Sequence, residues 1–397
     1  MTRDFSLPLP SNSDAQRRII HLIDGLGHGG AEKLLAPILS GLRDAGFDAS
    51  VVAFQEKDGN LEIERLQDHG VPVKLIPITK VRRIDQITAT WRQLRAMGPA
   101  LIHAHLQYAI ILAGGLNRWA NIPAVATLHT DGLKGGSLGG AMRMALMKHS
   151  LNTWVDQTIT LSPASLSQAR ADGLNKAQLM VLPNGINLSR FCSHQEDQIG
   201  RETVRRSLGI GQDELLILCV AVLRAEKGVD RLLTALSELP PAAYALRAVI
   251  VGEGAERSRL EAQAQRLGLN GRVQFLGYRS DIADLMKAAD IFVLPTFADA
   301  LPTVVIEAMA SGLPVIASAV GGIPHMVESG IEGLLVPAGE PAALGAALTD
   351  LSHDPDRRLA YGRAARRRAE KEFALEVQIE RLGLLYEKLI NDKGTLL

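Results

Sequence analysis

The chain is short of cysteine, of charge imbalance and of long apolar runs. Its 397 residues include only Cys192 and Cys219. Two cysteines cannot form a disulfide framework, no Cys/His cluster has zinc spacing, and both thiols suit a reducing compartment. Lys plus Arg equals Asp plus Glu, 43 against 43, which argues against a dedicated nucleic-acid binder. No run approaches about 18 uninterrupted apolar residues, so none reads as a membrane span. Residues 1–18 are polar and lack the apolar centre of a signal peptide, so a cytoplasmic protein is expected. There is no G-x-S-x-G elbow and no P-loop. Asp354-Pro355-Asp356 matches a D-x-D metal motif by letter, but no strand precedes it, so it reads as a turn and helix cap.

What is present is a globular chain, 47% hydrophobic and 22% charged, long enough for two domains. Short apolar runs at 18–23, 50–54, 73–78, 101–105, 124–129 and 157–161 alternate with helical patterns. A second such series occupies 215–223, 248–251, 273–276, 291–294, 314–318 and 333–336. Strands alternating with helices imply parallel βαβ units, so the fold class is α/β, two Rossmann-like doubly wound parallel sheets. The expected division is a disordered tail at 1–17, a first domain at 18–190, a polar linker at 191–211, a second domain at 212–374 and a final helix at 375–397. Leu375, Ile379, Leu382, Tyr386 and Leu389 share one face of that helix, which must pack on something. The basic run Arg363, Arg366, Arg367, Arg368 and Lys371 reads as a solvated face. Residues 137–152 form an amphipathic stretch near Lys134 that either packs on its own sheet or meets a membrane surface.

Ligands of open α/β sheets sit beyond the carboxyl ends of the strands, so the loops there carry the candidate chemistry. In the second domain, 291–294 is followed by a loop with Asp299 and Leu301, then Pro302 and a short helix from Thr303 and Val304 through Glu307. Proline suits a helix start, and that start aims free N–H groups at an anion. Arg224 and Lys227, in the turn after 215–223, supply two cations for a diphosphate; Gly252 lies in another strand-to-helix turn. In the first domain His105 and His129 stand at strand ends, a placement for ligand contact or proton handling. His103, two residues before His105, is expected on the opposite side of its strand. Gly25-Leu26-Gly27-His28-Gly29-Gly30 matches the dinucleotide fingerprint G-x-G-x-x-G, with Glu56 available for a ribose; read alone, it points to an NAD(P)-dependent oxidoreductase.

The order Gly29-Gly30-Ala31-Glu32, a His-ending strand, Leu182-Pro183-Asn184-Gly185-Ile186-Asn187, Glu226-Lys227-Gly228, Val251-Gly252-Glu253-Gly254, Phe275-Leu276-Gly277-Tyr278, Glu307-Ala308-Met309-Ala310 and Gly321-Gly322-Ile323-Pro324 resembles the family-4 retaining glycosyltransferases. The resemblance runs from about Arg18 to the final helix. It implies the GT-B fold, two Rossmann-like domains facing a cleft, with the last helix crossing back to the first. It also implies transfer of a sugar from a nucleotide-diphosphate donor, UDP- or GDP-linked, to a hydroxyl of a glycan or lipid-linked acceptor. Retention would come from a same-face displacement in which the leaving diphosphate helps deprotonate the acceptor, without a bound metal or other cofactor. By the same resemblance Lys227 neutralises the diphosphate, Glu307 holds the ribose hydroxyls, and backbone from Leu301 to Val304 receives the phosphates. Asp299 contacts the donor sugar, His129 sits near the reacting centre, and Gly29 and Gly30 bring backbone against the donor. Polysaccharide or glycolipid assembly, with peripheral contact at the inner membrane face, is the implied setting. Three positions depart from the pattern: Asp299 replaces a glutamate, Val222 an arginine for which Arg224 is a nearby substitute, and His325 a glutamate. A nucleotide-sugar epimerase, or an inactive sugar-nucleotide-binding subunit, stays open beside the transferase and the oxidoreductase.

Overall fold

The computed structural model describes residues 17–27, 30–55, 61–78, 84–129, 138–175, 178–192, 197–239 and 246–394. Residues 1–16 of the expected tail, His28, Gly29, Glu56 and Lys134 lie outside them. Two compact units emerge: Met1–Gly185 with Leu375–Leu397, and Ile186–Ala374.

The first unit holds strands β1 (Arg18–Ile23), β2 (Asp48–Ala53), β3 (Val73–Leu75), β4 (Leu101–His105), β5 (Ala124–Leu128), β6 (Gln157–Thr160) and β7 (Leu179–Val181). They form one parallel sheet in the order β3-β2-β1-β4-β5-β6-β7. Between them run α1 (Gly30–Asp44), α2 (Leu61–Asp68), α3 (Ile84–Ala96), α4 (Gln107–Ala120), α5 (Leu138–Thr153) and α6 (Pro163–Ala171). A strand alternates its faces every residue, and the core divides accordingly. Ile19, Ile23, Leu101 and Val125 pack with Leu35 and Leu39 of α1, whereas Ile20, Leu22, Ile102 and Ala126 pack with Ile110 and Leu116 of α4.

The second unit begins with α7 (Gln198–Ser207), inside the stretch expected as a linker. Two of its arginines face inward: Arg201 donates to the carbonyls of Lys287, Ala288 and Ala289 and pairs with Asp290 at 2.5 Å, and Arg205 pairs with Asp290 at 3.0 Å. A polar run is therefore a docked helix rather than a connector. The sheet is β8 (Leu215–Val220), β9 (Leu246–Val251), β10 (Val273–Gly277), β11 (Ile291–Leu294), β12 (Val315–Ser318) and β13 (Gly333–Val336), parallel in the order β10-β9-β8-β11-β12-β13. Helices α8 (Val229–Glu238), α9 (Arg257–Arg266), α10 (Ile282–Ala288), α11 (Thr303–Ala310), α12 (Pro341–His353) and α13 (Pro355–Glu372) complete it. Asp354 caps α13, accepting the Arg357 N–H at 2.9 Å with Pro355 in the first turn, as a turn-and-cap reading of that motif requires.

The expected solvated face of α13 is only partly so. Arg366 reaches back to the Phe191 carbonyl, and Arg368 donates to the His325 carbonyl at 2.8 Å and pairs with Glu332, while Arg363, Arg367 and Lys371 are exposed. The final helix α14 (Leu375–Gly394) returns to the first unit, where Leu375, Leu382 and Tyr386 are buried with the α1 side of the core.

Candidate functional site

In the second unit three loops at the carboxyl ends of strands are stitched together. After β11, the Phe297 N–H donates to the Glu226 carbonyl at 2.8 Å, and the Thr296 hydroxyl donates to the same oxygen at 3.0 Å. Both contacts draw residues 295–302 against the turn after β8. That turn can come so close because residue 228 is glycine: at φ +65° a Cβ would lie 2.0 Å from the Pro295 carbonyl oxygen. The Asp299 carbonyl in turn accepts the Gly322 N–H at 3.0 Å, adding the loop after β12. Gly252, after β9, is equally constrained, since at φ +136° a Cβ would sit 1.9 Å from the Ala221 oxygen.

This stitching brings together residues 72 apart in sequence: Lys227 Nζ donates to Asp299 Oδ2 at 2.6 Å, with each side chain about one-fifth exposed, 21% and 19%. Leu301 and Pro302 are buried, and Thr303, Val304 and Glu307 are half-buried. Helix α11 starts at Thr303 behind Pro302, so its first N–H groups have no acceptor within the helix. A cation and a helix N-terminus thus share one loop cluster. Arg224 lies in the same turn but is exposed, 3.8 Å from Glu226. Val222 is half exposed and His325 is exposed; neither supplies a charged partner to the cluster.

The first unit contains a second, wholly different constellation. Register places His21 beside His103 and His105 beside Thr127 on neighbouring strands. His103 faces the same side of its strand as His105, not the opposite side as expected. Residues two apart on a strand share a face, and the two rings stack with centroids 4.4 Å apart. The result is a continuous polar chain in an apolar core. Thr127 Oγ1 meets His103 Nε2 at 2.7 Å, and His103 Nδ1 meets the Tyr386 hydroxyl at 2.6 Å. That hydroxyl lies 3.3 Å from His21 Nε2; His21 Nδ1 is 2.9 Å from His105 Nε2, and His105 Nδ1 is 3.0 Å from His129 Nε2. Burial pushes all four imidazoles down, His21 to about 3 and His129 to about 4, so they are neutral at pH 7, while it pushes the Tyr386 phenol well up. The rings border a void of about 20 Å³, room for one water.

His21, His103 and His105 each place a ring nitrogen within 4.8 Å of the others, the spacing of a possible metal group among the described residues. All six of their nitrogens are already hydrogen-bonded, so a metal would have to displace those bonds. Next to this chain Leu106 adopts φ +71°, ψ 175°, a conformation costing a non-glycine residue about 1–3 kcal/mol. Asp24, after β1, accepts the Ala109 and Tyr108 N–H groups at 2.7 and 3.1 Å and so caps α4. Burial raises its carboxyl pKa, opposed by those N–H groups and by Arg143. In the first turn of α1 the buried Glu32 brings a negative charge to the end that a dinucleotide's phosphates would need. Gly30 is the first residue of that helix.

A sequence model of the family Glycosyl transferases group 1 matches residues 200–368, and one of Glycosyltransferase Family 4 matches residues 28–190. The GDP-mannose-dependent alpha-mannosyltransferase of Mycobacterium tuberculosis is 31% identical over 353 residues, 85% of this chain and 87% of that one. The chain is a family-4 glycosyltransferase. A Bacillus subtilis glycosyltransferase named for teichuronic acid biosynthesis is 31% identical over 288 residues, covering 72% of this chain and 69% of its own. Among solved structures, Anabaena HepE in complex with UDP-glucose has a TM-score of 0.80 and 25% identity, over 94% of this chain and 99% of its own. The fold of this glycosyltransferase is GT-B.

Family membership replaces the oxidoreductase and epimerase readings. Of the residues singled out in sequence, Lys227, Asp299, Gly252, Leu301, Pro302, Thr303, Val304 and Glu307 belong to loops or helix starts at one end of the second sheet, with Arg224 at the margin. His129 belongs to the first unit, and Gly29 is outside the described residues. Sequence reasoning passed over His21, Thr127 and the Tyr386 hydroxyl. Histidines interrupting two adjacent apolar strands at alternating positions were the available signal.

Proposed function

We propose that this glycosyltransferase moves a sugar from a nucleotide-diphosphate donor to a hydroxyl of a glycan or lipid-linked acceptor, with retention of configuration. The observation that carries the reading is Lys227 held 2.6 Å from Asp299 in the loop cluster that also contains the start of α11. The second unit would take the donor: Lys227 and the first N–H groups of α11 receive the diphosphate, backbone at Gly252 lets the nucleotide approach, and Glu307 holds the ribose hydroxyls. Charge developing on the leaving group is then met by an ammonium and a helix N-terminus in place, the kind of preorganised electrostatics that favours a transition state. Asp299 keeps Lys227 aimed and offers its second oxygen to the donor sugar. The first unit would take the acceptor, with His129 near the reacting centre.

In the displacement the bond from the anomeric carbon to the diphosphate oxygen breaks. The acceptor oxygen bonds that carbon on the same face, and its proton passes to the leaving phosphate. No step calls for a resident metal or organic cofactor. Polysaccharide or glycolipid assembly at the cytoplasmic side of a membrane fits the teichuronic acid relative. It also fits the exposed Met142 and Leu146, about one turn apart on the same side of α5, an apolar patch suited to a lipid surface. No helix among the described residues is long and apolar enough to cross a membrane. Incubation with UDP- and GDP-sugars, with and without EDTA, tests the reading. Nucleotide release with at least one donor, undiminished by EDTA, is expected; release abolished by EDTA and restored by a divalent ion would refute metal independence.

A further inference from the structure

We propose that Thr127 and Tyr386 are positioning residues that hold His129 in its Nδ1–H tautomer, so that it meets the substrate as a hydrogen-bond donor rather than as a base. The role toward substrate rests on His129 lying near the reacting centre; the tautomer itself does not.

The chain of contacts allows two directions. Each neutral imidazole has one donor and one acceptor nitrogen, and a hydroxyl has one hydrogen, so fixing either end fixes every member. The inner end is Thr127, buried on the sheet face under α1 and α14. Among the described residues the only acceptor bonded to its hydroxyl is His103 Nε2, at 2.7 Å. If Thr127 donates, its hydrogen is satisfied. If the chain runs the other way, His103 donates to Thr127 and the hydroxyl hydrogen is left with no protein partner among the described residues, a cost of about 1–3 kcal/mol when the adjoining void holds no water. That difference selects one direction by roughly 5- to 160-fold.

With Thr127 donating, His103 carries its hydrogen on Nδ1 and gives it to the Tyr386 oxygen; Tyr386 donates to His21 Nε2. His21 Nδ1–H donates to His105 Nε2, and His105 Nδ1–H donates to His129 Nε2. His129 Nε2 is therefore occupied as an acceptor, and its hydrogen lies on Nδ1, which has no partner among the described residues. All four histidines become Nδ1–H in series. The nitrogen left for a ligand is a donor, fit for a sugar hydroxyl or a phosphate oxygen and unable to take a proton while the ring is neutral. A second-layer partner choosing the tautomer of a working imidazole is a general device. Here the selector is five hydrogen bonds behind the last ring, and the chain passes through the final helix.

The test is long-range ¹H–¹⁵N correlation spectroscopy of the imidazoles in the full chain, read beside sugar-transfer kinetics. In wild type, His21, His103, His105 and His129 are expected to show the Nδ1–H pattern. Tyr386→Phe keeps the edge contact with Phe47 but removes the link. It should give His129 a mixed pattern and lower kcat about three- to tenfold, with the donor KM unchanged. Thr127→Val should act alike, and Thr127→Ser should restore both readouts. A wild-type His129 protonated at Nε2, or an unaltered His129 pattern in both Tyr386→Phe and Thr127→Val, would overturn the proposal. So would one zinc or other transition metal per purified chain bound at these nitrogens. If the tautomers are as stated but no nucleotide sugar is turned over, the tautomer lock stands and the donor role of His129 in sugar transfer falls.

Discussion

Mild acid should destabilise the first unit well before ordinary carboxylates titrate. His21 and His129 are held neutral, with pKa values lowered from 6.5 to about 3 and about 4. In the unfolded chain both regain a value near 6.5. The sign follows directly. Below pH 6.5 the unfolded state binds protons that the folded state refuses, so stability present above 6.5 is lost as pH falls toward the folded values. Between pH 7.5 and 5.5 each such histidine costs about 1.4 kcal/mol, so this pair removes about 3 kcal/mol. His103 and His105, lowered in the same direction, add to the loss. Set against a typical total of about 5–15 kcal/mol, that is a large share. All three tryptophans, Trp91, Trp119 and Trp154, belong to the first unit, so their fluorescence in urea reports this unit alone. The urea midpoint should drop by about 1–2 M between pH 7.5 and 5.5. Equal midpoints at the two pH values would show that the cluster accepts protons in the fold, and the reasoning would fail.

Two substitutions probe the second unit. Lys227→Ala should lower kcat by about 10²–10³-fold with little change in fold, because the leaving diphosphate loses its ammonium; steady-state nucleotide release measures it, and a wild-type rate would reject the role. Gly228→Ala should cost about 2–4 kcal/mol or displace the loop, since its Cβ would meet the Pro295 oxygen at 2.0 Å on a backbone with φ +65°. Circular dichroism thermal melts with an unshifted Tm, alongside unchanged activity, would contradict that packing.

Most of the architecture was legible because parallel strands buried on both faces are written as apolar runs, and the runs at 18–23, 101–105 and 291–294 are the observed β1, β4 and β11. The helix start behind Pro302 was legible for a different reason, since proline there costs no hydrogen bond. Helix α7 was not, because Arg201 and Arg205 read as solvent-seeking until Asp290 and a row of carbonyls, more than 80 residues away, are seen to receive them. Lys227 and Asp299 each stood out, but their pairing depends on the close approach that Gly228 permits. The histidine chain was half visible: strand ends drew notice to His105 and His129. The side assigned to His103 ignored the two-residue period of a strand, and Tyr386 registered only as part of an apolar face.

The second unit is an insertion in the first, entered at Ile186 and left at Ala374, where these two residues form a β-bridge and the Ile186 N–H donates to the Phe373 carbonyl at 3.0 Å. During synthesis this order matters. The first sheet is translated early but must wait for residues 375–394 to bring Leu382 and Tyr386 to its open face. At bacterial or eukaryotic elongation rates the intervening segment takes on the order of 10–40 s. For that interval three histidines and the apolar rows around them are left without their cover. The nascent first unit should therefore present apolar surface that holding factors can bind, and a chain lacking its last helix is expected to fold its second unit but not to complete its first.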